Sequence, residues 1–273
     1  MAKTTEPLLV VERAGPVATV TFNDPERLNA MTEAMGEAIV GAVKQLEAET
    51  EVAAVVLTGA GRAFSAGGDL DMIDRMGAAG RADAGGAARS ANREFMRRFY
   101  GLYLSLRDLP QPTIAAVNGH AIGAGCCVAL ACDIRIAADE ARLGVNFARL
   151  GIHPGMAATW TLPRLVGPAL AAELLYTGKL VPGPEAARIG MVNRSLPGDE
   201  VLGEALGIAR AIGECAPLAV RGTKRSLART AVASLDEQLD TEAHEQSLCY
   251  ESADLAEGLR AVREKRTPAF RGH

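Results

Sequence analysis

Two glycine-rich segments of this sequence have the residue types that expose backbone amides to a ligand. AFSAGGDL (63–70) follows the apolar run VAAVVLTG, and NGHAIGAGCC (118–127) follows the apolar run PTIAAV. Each segment lacks side chains where a strand ends and a helix is expected to begin, so that unpaired N–H groups stand at the positive end of a helix dipole. Two such segments can hold one oxyanion between two N–H groups. The pattern therefore predicts a site that stabilises negative charge on an oxygen.

Few titratable side chains accompany these segments. His153 is the only titratable group in GIHPGM, which makes it a catalytic candidate, although a lone histidine is more often structural. Asp69, Asp71 and Asp74 come at the start of the next predicted helix, where the helix dipole favours carboxylates, so a structural role is expected for at least two of them. His120 lies between the second apolar strand and its helix.

Strands and helices alternate along the first part of the chain, which predicts the α/β class. LLVVER and VATVTF form an opening hairpin, Thr32 caps a helix, and AIGAGCCVALACD is a small-residue helix followed by the strands IRIAAD and ARLGVN. The stretch from Gly77 to Gly86 has no period and is expected to be a mobile excursion able to cover a site. After about Leu196 the pattern is helical, so we expect a core over 1–196 and a helical C-terminal region over 197–273.

Composition excludes several classes of function. The 273 residues are 48% apolar and carry a net charge of −4 with scattered Lys and Arg, which argues against nucleic acid and anionic membranes as partners. No apolar run reaches the roughly 18 residues of a spanning helix, and MAKTTEPLLV lacks the features of a signal peptide. The five cysteines contain no C-x-x-C pair. We expect free thiols, no metal site and a cytoplasmic location.

Three linked motifs resemble one protein family. AFSAGGDL, then PTIAAVNGHAIGAGCCVALACDIRIA, then GIHPGMAATWTLPRLVG are similar in kind and order to those of the crotonase superfamily, the enoyl-CoA hydratases and isomerases, and the resemblance covers nearly the whole chain. It implies a spiral of ββα units with a helical C-terminal trimerisation region. It also implies an acyl-CoA thioester substrate, no permanently bound cofactor beyond the coenzyme A of that substrate, and a homotrimer or a dimer of trimers.

The resemblance also implies roles for individual residues. The two oxyanion-hole donors fall on the backbone N–H groups of Ala66 and Ala124, which would stabilise the enolate formed from the thioester. Arg27 occupies a place where relatives often bind the coenzyme A phosphates or pantetheine, although a solvated surface charge is an equally good interpretation. Lys265 and Phe270 are expected to border the same site. The remaining predicted contacts with acyl-CoA are Gly67, Gly68, Asp69, Leu70, Gly123 and Gly125.

The chain departs from the family at its acid–base positions. Hydratases carry two glutamates, and the corresponding residues here are Cys127 and Phe147. The carboxylate of the related isomerases would stand at Gly155. Cys127 is expected to pack in the core and Phe147 to make the acyl pocket apolar. Because general acid–base groups contribute about 10²–10⁴-fold to rate, the chain is not expected to be an efficient hydratase.

Other interpretations stay open at this point. Another enolate reaction of the same superfamily, such as isomerisation, decarboxylation or hydrolysis of a thioester or C–C bond, would draw on groups placed elsewhere. A non-catalytic acyl-CoA binder would also lack the acids. VVLTGAGRAFSAG further resembles the start of a short-chain dehydrogenase, but Ala63 and Ser65 replace glycines and YTGK is one residue short of Tyr-x-x-x-Lys. The short-chain dehydrogenase is therefore kept only as a remote alternative.

Overall fold

A six-stranded sheet forms the centre of the molecule. The structure is a computed structural model that describes residues 7–83 and 85–273. Within these residues the strands, in chain order, are β1 Leu9–Ala14, β2 Val17–Phe22, β3 Ala54–Gly59, β4 Ala63–Ser65, β5 Thr113–Val117, β6 His120–Ile122, β7 Ile134–Ala138, β8 Arg142–Gly144, β9 Val181–Pro182 and β10 Arg194–Leu196. The large sheet has the order β1-β2-β3-β5-β7-β10. Its first pair is antiparallel, as the predicted hairpin requires, and its other pairs are parallel.

A second, four-stranded sheet places the two glycine-rich segments side by side. Its order is β4-β6-β8-β9, and β4 and β6 run parallel with Ala63 opposite His120 and Ser65 opposite Ala121. Because the carboxyl ends of parallel neighbours meet at one edge, AGGD and GAGC emerge together although they lie far apart in the sequence.

Helices cover these sheets. In chain order they are α1 Glu33–Ala48, α2 Leu70–Ala82, α3 Ala87–Leu104, α4 Ala124–Ala131, α5 Ala158–Val166, α6 Pro168–Thr177, α7 Gly183–Arg188, α8 Gly198–Gly213, α9 Pro217–Arg229, α10 Leu235–Tyr250 and α11 Ala253–Glu264. Thr32 caps α1 as predicted, since its Oγ1 accepts a hydrogen bond from the Met35 amide at 3.2 Å. No helix of the described residues is long and apolar enough to cross a membrane.

The stretch from Gly77 to Gly86 differs from its prediction. α2 continues to Ala82, so most of this stretch is helical rather than aperiodic, and Ala84 lies outside the described residues. Gly77 and Gly80 have low helix propensity, so the sequence pattern does not indicate a helix here. Asp69 caps the first turn of α2 and stabilises its start. The first part of this stretch, through Ala82, is therefore the C-terminal end of α2.

The core joins the large sheet to α4 and α8. β3 and β5 are buried along their whole length, and α4 is buried over seven of its eight residues because β4 and β6 of the second sheet, α3 and α5 pack against it. α8 buries Val201, Ala205 and Ala209 against the large sheet. The helical C-terminal pattern predicted after Leu196 is thus present, and its first helix packs directly on the core.

Candidate functional site

An apolar cavity of about 780 Å³ opens at the edge where the two glycine-rich segments meet. Its walls come from α2, α3, the start of α4 and the segment 146–156. The apolar side chains that line it are Met72, Ile73, Met76, Met96, Phe99, Phe147, Leu150, Ile152 and Met156. A cavity of this size and character is typical of a small-molecule site with a few well-placed polar groups.

The amide of Ala66 is already used inside the protein. Its N–H donates a hydrogen bond of 2.9 Å to the carbonyl of Leu28. An N–H that is paired in this way is not available to an oxyanion, so the expected donor role of Ala66 is corrected, although the residue does line the cavity.

Gly68 offers the free amide of this segment instead. Met31 forms an isolated parallel bridge with Gly68, in which the Met31 amide donates to the Gly67 carbonyl and the Asp69 amide donates to the Met31 carbonyl. Because successive amides of an extended chain point in opposite directions, the Gly68 N–H points away from Met31. Among the described residues none accepts a hydrogen bond from it. Gly68 also lines the cavity.

The second segment presents the first turn of α4. Gly123 has φ +54° and ψ −119°, a conformation that glycine adopts readily, and its amide donates to Gly144 at 2.8 Å. The first helical bond runs from the Cys127 amide to the Gly123 carbonyl, so the Ala124 N–H has no partner within the helix. Ala124 lines the cavity, in agreement with its predicted place.

The two segments are in direct contact. A Cβ placed on Gly67 would lie 2.6 Å from the Ile122 carbonyl oxygen and 3.5 Å from the Ala124 nitrogen. Gly67 also has φ +98°, so position 67 requires glycine on both counts. The cavity is therefore lined by two amides from adjoining segments, those of Gly68 and Ala124.

Gly125 has a different role from the one expected. A Cβ there would lie 2.6 Å from the Ser65 carbonyl oxygen and 2.7 Å from its Oγ. The glycine therefore lets α4 pack closely on β4, and Gly125 does not line the cavity.

Asp69 and Arg27 form a structural pair at the cavity mouth. The Asp69 carboxylate caps α2 by accepting from the Met72 amide at 2.7 Å, and it also forms an ion pair with Arg27. Burial by itself would raise the pKa of Asp69, but the Met72 amide and the Arg27 guanidinium hold that pKa below its ordinary value. The Arg27 side chain is 51% exposed. It therefore keeps donors available at the mouth, where the exposed Leu70 also stands.

The three positions at which the resemblance places acids, Cys127, Phe147 and Gly155, lie on or near the cavity wall. Cys127 is buried, its Sγ lies 3.8 Å from the Gly155 carbonyl, and burial followed by the neighbouring Cys126 raises its pKa. Phe147 lines the cavity, 4.0 Å from a Cβ placed on Gly123. Gly155 is buried against the phenol of Tyr100. The thiol thus stays protonated, and the wall at Phe147 is apolar.

The remaining predicted side chains divide between the cavity and the surface. His153 is exposed and lines the cavity. His120 lies elsewhere, since its Nδ1 accepts a hydrogen bond from the Arg142 amide at 3.1 Å. Asp71 is exposed at the mouth, and Asp74 lies outside the cavity, 3.8 Å from Arg81.

Residues near the C-terminus do not reach this cavity within the chain. Phe270 packs near Gly258 on α11, and Lys265 is an exposed residue that ends the same helix with φ +54°. Neither residue lines the cavity, so their predicted position beside the site is not met within a single protomer. Across the described ranges, 7–83 and 85–273, no group of three or more His, Cys, Asp or Glu residues is placed to hold a metal ion.

Sequence reasoning missed many of the cavity residues, among them the polar side chains of Tyr100 and Asn146. Tyr100 lies on the amphipathic helix α3, where an aromatic residue reads as part of the core. Asn146 has its Oδ1 3.2 Å from a Cβ placed on Gly123. The one feature of the sequence that could have indicated Tyr100 is the glycine at position 155, because a glycine leaves room for a large neighbouring side chain.

Comparisons with known proteins identify the family and the fold. The family described as "Enoyl-CoA hydratase/isomerase" matches residues 12–273. A "Putative enoyl-CoA hydratase" of Thermus thermophilus is 38% identical over 96% of this chain and 100% of its own length. A "1,2-epoxyphenylacetyl-CoA isomerase" of Escherichia coli is 36% identical over 94% of this chain and 95% of its own length. The crystal structure of a putative enoyl-CoA hydratase from Streptomyces coelicolor, 35% identical, has a TM-score of 0.88 over 100% of this chain and 98% of that one. The predicted fold is therefore confirmed.

Proposed function

The chain belongs to the enoyl-CoA hydratase/isomerase family, and from that premise we propose that it binds an acyl-CoA and stabilises the thioester enolate with the amides of Gly68 and Ala124. Relatives of this family are named as enoyl-CoA hydratases and isomerases, so the proposal assigns the chain to the lyase or isomerase enzymes. Coenzyme A takes part as a component of the substrate, and the proposal requires no other cofactor.

One observation carries the proposal: two amides that are unpaired among the described residues line one apolar cavity from adjoining segments. A thioester carbonyl gains negative charge when a proton leaves the neighbouring carbon. Two fixed N–H groups in a water-poor pocket stabilise that charge without reorganising during the reaction. They therefore favour the transition state over the ground state, which is the requirement for catalysis.

The rest of the cavity fits the two ends of an acyl-CoA. The methionine, phenylalanine and isoleucine walls accommodate an acyl group. At the mouth, the exposed part of Arg27 is placed to meet the phosphates or the pantetheine arm, while Asp69 orients the guanidinium. Arg27 therefore combines a structural ion pair with a ligand contact.

The acid–base groups favour an enolate reaction other than rapid hydration. Hydration needs a group that activates water, but the Cys127 thiol is buried and protonated and Phe147 has no proton to exchange. His153 is the imidazole that faces the cavity, and we assign to it the movement of the substrate proton. Isomerisation requires only that a proton leave one carbon and return to another, which one such group can perform.

A second candidate is an acyl-CoA binder that performs no reaction. Its support is the combination of free amides with the absence of a carboxylate at Cys127, Phe147 and Gly155. Both candidate functions predict that the protein binds acyl-CoA, and only the enzymatic function predicts that it converts the bound acyl-CoA.

We also propose that the protein assembles as a homotrimer or as a dimer of trimers. α10 contributes no buried residue within the chain, and apolar side chains on the helices after α8 are largely exposed. These side chains are Leu227, Leu235, Leu239, Leu248, Tyr250, Leu259 and Val262, and Val232 is exposed between α9 and α10. A surface of this kind is typical of a subunit interface.

The test combines binding with turnover. Purified protein is titrated with butyryl-CoA in a calorimeter and separately mixed with crotonyl-CoA and longer enoyl-CoAs, while absorbance follows the conjugated enoyl thioester. We expect binding together with slow or undetectable hydration, and proton exchange next to the thioester in deuterium oxide, observed by NMR. Absence of binding would refute the proposed function. Binding without proton exchange would favour the non-catalytic binder, and rapid hydration would contradict the assignment at Cys127 and Phe147.

A further inference from the structure

The phenol of Tyr100 occupies the space that a side chain at position 155 would need. A Cβ placed on Gly155 would lie 2.4 Å from Tyr100 Oη and 2.7 Å from its Cζ. Real Cβ atoms do not approach other atoms so closely, so the glycine and the tyrosine are complementary. A hydroxyl group therefore stands where the resemblance places the carboxylate of the related isomerases.

This hydroxyl is unpaired within the part of the chain that the structure describes. Tyr100 is partly buried and lines the cavity beside Met96, Phe99 and Met156. Among the described residues, none forms a hydrogen bond with its Oη. Tyr103, one turn further along α3, is buried away from the cavity and donates to the Thr32 carbonyl at 2.6 Å. The helix thus pairs its core tyrosine and leaves the cavity tyrosine free for a ligand.

The free hydroxyl is a hydrogen-bond donor. Burial, followed by the nearby Cys127 thiol, raises the pKa of Tyr100 above its ordinary value. The phenol is therefore neutral near pH 7 and offers its proton to an acceptor.

Its position is near the reacting end of the cavity. Gly155, which the phenol contacts, has its carbonyl 3.8 Å from Cys127 Sγ. Cys127 follows Ala124 by three residues on one face of α4, a rise of about 4.5 Å. The hydroxyl consequently stands beside the carbons close to the thioester and not beside the far end of a long acyl chain.

We propose that Tyr100 is a specificity-determining residue that donates a hydrogen bond to an oxygen on the β- or γ-carbon of the acyl group. The inference rests on the proposed function and adds a substrate class to it, the oxygenated acyl-CoAs. A purely aliphatic acyl group would cover the phenol and leave its hydroxyl without a partner, which is unfavourable in a buried site. Sites built to pair a polar group discriminate against analogues that lack it.

The experiment compares ligands that differ by one hydroxyl group. Calorimetry gives the Kd values of butyryl-CoA, both enantiomers of β-hydroxybutyryl-CoA, and γ-hydroxybutyryl-CoA, for the wild type, Tyr100→Phe and the matched control Tyr103→Phe. Absorbance of the enoyl thioester in the same samples corrects for any dehydration. We expect the wild type to bind at least one hydroxylated ligand roughly 3- to 10-fold more tightly than butyryl-CoA. The preference should disappear in Tyr100→Phe and persist in Tyr103→Phe.

A second variant tests the same contact from the other side. Gly155→Ala keeps the tyrosine but displaces its phenol, so it should also lose the preference. Equal affinity of the wild type for all four ligands, or a preference that survives in both Tyr100→Phe and Gly155→Ala, would overturn the inference while leaving the proposed function intact. If no ligand binds the wild type, the proposed function itself has failed.

Discussion

At the scale of single residues, this site depends more on backbone than on side chains. The function proposed for Gly68 and Ala124 uses only their N–H groups, and position 67 requires glycine because a Cβ would strike the Ile122 carbonyl. A glycine at such a position indicates close packing or an unusual backbone conformation, but it does not indicate the direction in which an amide points. Sequence reasoning therefore placed the segment correctly and assigned the donor to Ala66, two residues from the free amide of Gly68.

The Ala124 amide can be removed without removing the helix. Ala124 is the first residue of α4, a position at which proline is tolerated because its missing N–H has no helical partner. We expect Ala124→Pro to lower turnover by about 10²–10³-fold, the usual cost of losing one oxyanion donor. Steady-state kinetics and thermal melting check this together, with Ala124→Ser, which keeps the N–H, as the control. Equal rates in the two variants would show that this amide has no role.

His153 carries the proposed proton transfer and has a natural control. His153→Gln keeps a polar side chain but cannot exchange a proton near neutral pH, so we expect turnover to fall by about 10²–10⁴-fold. His120→Gln alters a histidine outside the cavity that accepts from the Arg142 amide, and its turnover should stay close to that of the wild type. Unchanged turnover in His153→Gln would eliminate the histidine as the catalytic group.

At the scale of elements, the capped start of α2 explains how a glycine-rich helix holds one wall of the cavity. Asp69 caps the helix and pairs with Arg27, while Gly77 and Gly80 keep the wall thin where it lines the cavity. The sequence pattern around these glycines indicated a loop, because their low helix propensity hides the periodicity. The cap compensates for that low propensity, since it satisfies an amide of the first turn.

The Asp69 pair predicts a pH-dependent stability. The pKa of Asp69 is lower in the folded chain than in the unfolded chain. The stabilisation that its carboxylate gives the folded state is therefore complete above the unfolded pKa of about 3.9, and it is lost as the pH falls through the folded pKa. Asp69→Asn keeps a capping oxygen but loses the charge, and we expect it to lower the free energy of unfolding by up to about 1 kcal/mol at pH 7. Urea unfolding at pH 7 and at successively lower pH should show the two proteins converging in acid. Asp71→Asn, at an exposed position, is the control, and a difference between Asp69→Asn and the wild type that does not depend on pH would contradict the assignment.

At the scale of the whole molecule, the two sheets determine where chemistry is possible. The parallel pairing of β4 with β6 puts two segments from distant parts of the chain at one edge, and α3 adds Tyr100 opposite Gly155. The C-terminal helices leave apolar side chains exposed on the outside of the same chain. One face thus carries the cavity, and another surface is suited to subunit contacts.

The exposed helices give a prediction about assembly. We expect light scattering after gel filtration to give the mass of a trimer or a hexamer. Replacing Leu235 and Leu239 of α10 by glutamate should lower that mass, because charge would be buried at the interface, while far-ultraviolet circular dichroism stays the same. A monomeric wild type would contradict the proposed assembly.

The sequence by itself determined the α/β class, the order of most elements and the two glycine-rich segments, because these depend on local periodicity and glycine. Tertiary structure alone decided that Gly68 rather than Ala66 has the free amide, since the bonds of Met31 and Leu28 set the direction of each N–H. It also decided that Gly125 packs on Ser65 and that a tyrosine fills the space left by Gly155. Such contacts join residues that are distant along the chain, and no local pattern encodes which partners meet.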